Sequence, residues 1–370
     1  MAGIYVHIPF CKSRCVYCDF FSTTLLELRD EYVKALLKEM QLRRNYLTEG
    51  TIRTVYFGGG TPSMLSAEQI GTILEGLRAQ YCIAADAELT LEANPSDISE
   101  EKLRSWREMG FDRLSIGVQS FRDAALRTIG RRHNAQQAKE AVRKAQKEGF
   151  ENVSIDLIYG LPSESLADWK DEVRQALELN IQHVSAYCLS YEEGTELTRM
   201  REREEVKEVD EETENAMYDY LVEALHAAGI ERYEVSNFAK QGRESQHNSN
   251  YWNGTSYLGL GAGAHSFDGK SRQWNVCDLE AYLRGIESET AFFEREELTA
   301  TDMYNEQVML GLRTRNGLQL SAVGETYRSH CTEMAKAYIE RGLLREQAGR
   351  LVATQEGIHI LNRIIEDMMI

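Results

Sequence analysis

Six short runs of β-branched and apolar residues, each followed by a stretch of helical spacing, constrain this chain more than any other feature. The runs are Ile4–Ile8, Thr54–Phe57, Glu88–Glu92, Arg113–Val118, Asn152–Ile158 and His183–Leu189. The helical stretches cover Asp30–Tyr46, Ala67–Ala79, Glu100–Met109, Ala135–Glu148, Leu166–Leu179 and Glu212–Ala228; in the first, Tyr32, Leu36 and Met40 share one face. Gly110, Gly149 and Gly229 stand where C-terminal caps belong. Strands joined in this order by helices lie parallel, with right-handed crossovers. Six units fall short of the eight of a closed barrel. The expected fold is α/β, a partial (βα)6 TIM-like barrel with its ligands at the carboxyl ends of the strands.

Beyond Gly229 the texture changes. Residues 231–275 are rich in Asn, Gly, Ser and aromatics, and read as strands and loops covering the open side of the barrel. From Thr301 the pattern is three helices, two short strands (Leu343–Leu344 and Leu351–Val352) and a last helix, a winged-helix-like α+β unit. The chain thus divides into a barrel at 1–229, an extension at 230–298 and the C-terminal unit at 299–370. No repeat of solenoid period and no low-complexity tract interrupts it.

Charge narrows the partners. The net charge is −17, which opposes binding to nucleic acid or anionic lipid. Residues 301–370 carry 9 acidic and 8 basic groups with no basic stripe, so DNA is not the expected ligand of the winged-helix-like unit. Residues 192–214 hold 11 acidic and 4 basic groups and read as a solvated helix face or surface insertion. No stretch approaches the roughly 20 apolar residues of a membrane span. The start, MAGIYVHIPF, lacks the basic and apolar regions of a signal peptide, so cytoplasmic residence is expected.

Three of the seven cysteines, Cys11, Cys15 and Cys18, fall within eight residues, just after the first strand. An odd count clustered in this way points to a metal site rather than a disulfide framework. Thiolates suit zinc or an iron–sulfur cluster. Structural zinc takes four closed ligands, and here only His7 is available nearby as a fourth. Three thiolates on a four-iron cluster leave one iron open to an external group. Cys82, Cys188, Cys277 and Cys331 are expected to be ordinary buried thiols.

Further polar and glycine positions fall at the ends of the predicted strands. Gly58-Gly59-Gly60-Thr61-Pro62 follows the second; it lacks the GxxxxGK[ST] of a phosphate loop, and three glycines exceed what a tight turn needs. Glu92 ends the third strand, Gln119 the fourth, and Asp156 lies on the fifth, with Arg131 in the following loop of the fourth. Charges inside a barrel mouth are costly unless paired or used. One alternative is that Glu92 and Asp156 pair with Arg113 or Arg131 in the barrel core, with Tyr5 as plain packing.

The CxxxCxxC run, set in HIPFCKSRCVYCDF, resembles the radical S-adenosylmethionine superfamily. It is similar in particular to the branch that contains oxygen-independent coproporphyrinogen oxidase and the HemW-type heme chaperones, over nearly the whole chain. The resemblance implies a 4Fe–4S cluster on Cys11, Cys15 and Cys18. It also implies S-adenosylmethionine contacts from Tyr5, Tyr17, Gly59, Gly60, Thr61, Glu92, Gln119, Arg131 and Asp156.

Two features separate the branches. The oxidase pattern has a fourth cysteine where this chain has Phe20, and a longer segment before the first cysteine, where this chain has ten residues. His247-Asn248-Ser249-Asn250-Tyr251-Trp252 matches the HNxxYW motif of the chaperones. Imidazole is a common heme ligand, and Tyr and Trp offer flat faces to a porphyrin, so His247 is the expected heme contact, ahead of His265. A hydrogen-bonded core histidine is the alternative; His133 and His183 carry no assignment. The expected function is a chaperone that binds heme and passes it to an acceptor protein. Transient contact with a membrane protein, and either a monomer or a homodimer, are compatible with it. The alternative is a radical oxidative decarboxylase of porphyrin biosynthesis acting on coproporphyrinogen.

Overall fold

The structure, a computed structural model, describes residues 2–47 and 50–370. Its centre is six parallel strands: β1 (Ala2–Ile8), β2 (Ile52–Gly59), β3 (Ile83–Ala93), β4 (Arg113–Gln119), β5 (Asn152–Tyr159) and β6 (His183–Cys188). The crossovers carry α1 (Arg29–Leu42), α2 (Ala67–Gln80), α3 (Glu100–Met109), α4 (Asp123–Thr128), α5 (Ala135–Lys147) and α6 (Leu166–Leu177). These bounds lie within a few residues of those expected, because alternation and capping are local signals. Ser66, Asn134 and Ser165 close capping boxes at α2, α5 and α6, and Gly110 ends α3 at φ 100°.

Alternation on β1 shows how the strands divide inside from outside. Ile4, Val6 and Ile8 have no exposed surface and pack under the helices, while Tyr5 and His7 face the barrel interior. The main core is this helix–sheet layer, with Trp106, Trp169 and Phe57 among its largest members.

The acidic segment forms α7 (Glu196–Glu202) and leads into α8 (Glu211–Ala227). Its arginines pair locally, Arg201 with Glu208 at 3.0 Å and Arg203 with Glu196 at 2.7 Å, on an exposed face, as expected.

The extension does more than cover the open side. It lengthens the sheet at both edges, giving twelve strands. β7 (Glu231–Arg232) and β8 (Asn237–Ala239) add antiparallel strands beyond β6. β9 (Tyr257–Leu260) pairs parallel with β1, followed by β10 (His265–Phe267), β11 (Ser271–Asn275) and β12 (Phe293–Glu297) in antiparallel order. Between β8 and β9 lies a helix, α9 (Gln246–Trp252), where loop was expected; α10 (Leu279–Ser288) packs on α1. A buried ion pair joins extension to barrel. Glu39 of α1 and Arg43, which caps that helix, lie 3.5 Å apart, and Glu39 accepts from Gly261 N–H (2.7 Å), Asn275 Nδ2 (2.7 Å) and Tyr282 OH (2.6 Å).

The C-terminal unit has its own core around Tyr304, Val308, Leu351 and Ile364. Two helices, α11 (Ala300–Leu312) and α12 (Glu325–Glu340), precede the hairpin, rather than the three expected. A short β13 (Leu318–Gln319) joins β14 (Leu344–Gln347) and β15 (Arg350–Ala353) in a three-stranded sheet, and α13 (Gln355–His359) and α14 (Leu361–Met368) finish the chain. No helix among the described residues is long and apolar enough to cross a membrane.

Candidate functional site

The loop after β1 is fixed by its backbone. Cys11 N–H donates to Thr23 O (2.8 Å), Thr23 N–H to Pro9 O (2.7 Å), and Val16 N–H to Ile129 O (3.3 Å). Cys11 Sγ lies 3.4 Å from Thr61 Oγ1, and Arg131 Nη1 donates to Cys15 Sγ at 3.6 Å. The loop is therefore tied to the segments that follow β2 and β4. Cys11, Cys15 and Cys18 line one cavity of about 540 Å³ at the carboxyl ends of the strands. Burial raises the Cys11 thiol and pushes Cys18 up to about 11, so a bound cation is what would favour their thiolates.

Tyr5, Tyr17, Gly59, Gly60, Thr61, Glu92, Gln119, Arg131 and Asp156 all line this same cavity. The glycines are required by space. Gly59 has φ 106°, and a Cβ there would lie 2.5 Å from the His7 ring; at Gly60 it would lie 2.8 Å from the Pro9 carbonyl. Glu92 accepts from Tyr56 OH (2.7 Å) and Gly59 N–H (3.2 Å), and burial raises its pKa to about 7. Asp156 accepts from Ser115 Oγ at 3.0 Å and is also raised by burial. Among the described residues neither carboxylate forms an ion pair with Arg113 or Arg131, so the core salt-bridge alternative is not what the fold builds. Arg131 donates to Gly117 O, while its Nε is buried without a partner among the described residues. Gln119 sits at φ 66° where the β4–β5 register slips, a strained backbone at the cavity wall. Sequence reasoning missed Tyr56 and Ser115, which hold the two carboxylates; each lies two residues before a glycine of its strand, on the inward parity.

The HNxxYW segment is elsewhere. It forms α9 at the amino end of the barrel, beside Gly3 of β1, Thr54 of β2 and Glu88 of β3. Glu88 accepts from the N–H groups of Gln246 and His247, both at 3.0 Å, and so satisfies the start of this helix. Asn248 Nδ2 donates to Tyr233 OH (3.2 Å) and Asn250 Nδ2 to Thr54 Oγ1 (3.1 Å). His247 is 1% exposed, with Nδ1 2.8 Å from Thr54 Oγ1 and Nε2 3.0 Å from Tyr251 OH. Burial lowers its pKa to about 3. Both ring nitrogens thus face hydroxyls, and His247 does not line the cysteine-side cavity.

The other histidines are likewise engaged or remote. His7 Nε2–H donates to Phe21 O (3.0 Å), which leaves Nδ1 to accept from Tyr5 OH (3.0 Å); it lines no cysteine-side wall as a fourth ligand. His133 Nε2–H donates to Val118 O, and His183 bridges Ser154 and Tyr233. His265 is exposed and stacks on Trp274. Of the four scattered cysteines only Cys331 is buried; Cys82, Cys188 and Cys277 are exposed, a correction to their reading as core thiols.

Residues 5–176 match the radical SAM superfamily, and residues 298–360 match the HemN C-terminal domain. The solved coproporphyrinogen III oxidase from Escherichia coli superposes with a TM-score of 0.86 at 23% identity, covering 100% of this chain and 90% of that one; this likeness shows the fold. Sequence decides the branch. The heme chaperone HemW of Mycobacterium tuberculosis is 38% identical over 99% of this chain and 94% of its own length. That of Escherichia coli is 40% identical over 98% and 97%. The chain belongs to the HemW family. Its HemW relatives align through barrel, extension and C-terminal unit alike, including that of Bacillus subtilis at 34% identity over 98% of both chains. The resemblance read from HIPFCKSRCVYCDF is thereby borne out.

Proposed function

We propose that this protein is a heme chaperone that holds a 4Fe–4S cluster on Cys11, Cys15 and Cys18, binds S-adenosylmethionine in the adjoining cavity, and passes heme to an acceptor protein. The cofactor part rests on one observation: three thiols share a single cavity with every polar and glycine position that the superfamily resemblance singles out. The donor set fits the cluster, since three thiolates leave one iron for an external amino acid group. The cavity fits the nucleoside. Its glycine backbone has no room for a Cβ, the Arg131 Nε is orphaned, and Glu92 and Asp156 retain accepting capacity for ribose hydroxyls. Bound together, cluster and S-adenosylmethionine supply one-electron chemistry that protein side chains lack. The chain's part is to bind and orient. Thr61 and Arg131 hold the Cys11 and Cys15 sulfurs, and Tyr5 and Tyr17 give the cavity its aromatic walls.

The heme part rests on kinship with chaperones at 34–40% identity. The oxidase alternative is supported less: Phe20, 66% exposed at the cavity, stands where that branch carries its fourth cysteine. We place the protein in the cytoplasm, with its heme acceptor, soluble or in a membrane, met by surface contact. Anaerobic reconstitution followed by heme titration tests the reading. Saturable one-to-one heme binding, without turnover of coproporphyrinogen, is the expected result. Turnover of coproporphyrinogen with reductant and S-adenosylmethionine would install the oxidase reading instead.

A further inference from the structure

We propose that heme occupies a second cavity, at the amino end of the barrel, and that the C-terminal unit supplies the groups that recognise its carboxylates. This rests on the chaperone reading above and adds the location and the specificity. The cavity measures about 1100 Å³ and opens between α9 with its neighbouring strands on one side and α11 with the segment after it on the other. Small-molecule sites commonly span roughly 300–1,000 Å³, so this one has room for a macrocycle. The cysteine-side cavity, at about 540 Å³, is half that size and lies at the other end of the strands.

The lining suits a flat apolar ring. Trp252, Tyr257 and Phe267 come from the extension, and Met303 and Leu310, seven residues apart on one face of α11, come from the C-terminal unit. Met303 is 40% exposed, a large apolar side chain left uncovered at the opening. The Trp252 indole N–H is buried without a hydrogen-bond partner among the described residues, an uncompensated donor in the wall.

The charges favour a ring whose acids lie on one edge over one with acids all round. Three arginines and two glutamates line the cavity, a net positive site in a chain of net charge −17. Arg272 is neutralised by Glu306 at 2.5 Å, and Arg315 lies 3.0 Å from Glu244. Arg350 has no carboxylate partner among the described residues; it donates to the carbonyls of Asn316 and Gly317, both at 3.4 Å. Arg350 is thus held against the segment that follows Arg315, and it is the lining arginine that no carboxylate neutralises among the described residues. A ring with its propionates on one edge can turn that edge to Arg350 and lay the rest on the apolar wall; a tetracarboxylate, with acids around its rim, would drive some of them against the aromatic and thioether walls. The HNxxYW helix then serves as a wall: His247 fixes the Tyr251 hydroxyl, and Tyr251 and Trp252 face the ring.

The test is a heme titration of the full-length reconstituted protein, followed by absorbance, on the parent chain, on Arg350→Gln with Arg315→Gln, and on Leu310→Trp. Heme dimethyl ester, which lacks the acids, is the second probe. Heme binding weakened by about tenfold or more in the double variant, little change for the ester, and loss of both probes in Leu310→Trp are expected. Iron content and S-adenosylmethionine binding, which belong to the opposite end of the barrel, report that each variant is folded. A parent chain that binds heme one-to-one with both variants unchanged would overturn the location while leaving the chaperone reading standing. A parent chain that binds no heme would overturn both.

Discussion

Tyr5 and His247 stack with ring centroids 6.4 Å apart and planes inclined by 28°, although Tyr5 lines the cysteine-side cavity and His247 belongs to the helix at the barrel's other end. Tyr56 lies against both, 6.1 Å from Tyr5 and 5.1 Å from His247. From His247 the connection continues through Tyr251 into the second cavity. The interior of the barrel is a continuous column of rings and hydroxyls between the two cavities.

Removing the imidazole tests what that column does. His247→Ala leaves the Thr54 and Tyr251 hydroxyls short of a partner and opens a void, at a cost of roughly 2–4 kcal/mol in denaturant unfolding. Heme affinity is expected to fall because Tyr251 is no longer held. The absorption spectrum of whatever heme still binds should match the parent's, since neither ring nitrogen is free to coordinate. A changed ligand signature would restore His247 as an axial ligand.

The three-thiolate assignment makes a stoichiometric prediction. Cys15→Ala, reconstituted anaerobically, should fall from about four irons and four sulfides per chain to well under one. Retention of the parental content in this variant would rule out Cys15 as a ligand.

Glu92 gives the cofactor-free protein a pH dependence of defined sign. Its pKa of about 7 in the fold lies above the ordinary value of 4.5, so between those values the folded chain keeps a proton that the unfolded chain has lost. Stability therefore falls as pH rises through that window and stays lowered above it, by on the order of 3 kcal/mol. Glu92→Gln cannot ionise. Melting of the two proteins at about pH 5 and about pH 8 should show the variant losing less between the two conditions; parallel losses would refute the assignment.

The Glu39–Arg43 pair, which lines neither cavity, predicts a large structural effect. Arg43 is buried and donates to Ser266 (3.1 Å), Gln273 (2.7 Å) and Gly259 O (3.2 Å) of the extension. Glu39→Ala leaves that guanidinium without its counter-charge and is expected to cost about 3–5 kcal/mol in urea unfolding. A loss below about 1 kcal/mol would mean that the extension is held by its strand pairing alone.

The barrel was legible because its signals are local: alternation in each strand, a serine or asparagine at the start of a helix, a glycine at its end. The cysteine-side cavity was legible for the same reason, since each of its residues ends a strand and the topology gathers those ends. α9 was not. It has seven residues of poor helical propensity, and its stability comes from Ser245, whose side chain accepts from Asn248 N–H, and from Glu88, more than 150 positions away. The second cavity escaped for a related reason. Arg350, Met303 and Trp252 lie far apart in the chain, and no spacing announces that they meet. Three of the four scattered cysteines were misplaced because a thiol's burial depends on where an element's end faces, which its sequence neighbours do not specify.

β1 is flanked on one side by β2 and on the other by β9, with Gly3 opposite Tyr257 and Val6 opposite Leu260. During synthesis the first strand emerges about 250 residues before its second neighbour, an interval of roughly 10–50 s at typical elongation rates. For that time the strand leading into the three thiols has one edge unpaired, and the Glu39–Arg43 pair lacks the groups that complete it. A nascent barrel of this design would expose reactive sulfur beside an open sheet edge, a hazard for both oxidation and aggregation. Pairing of β9 with β1 closes that edge, so a cluster assembled on these thiols would meet a complete sheet only once residues 257–260 have been made.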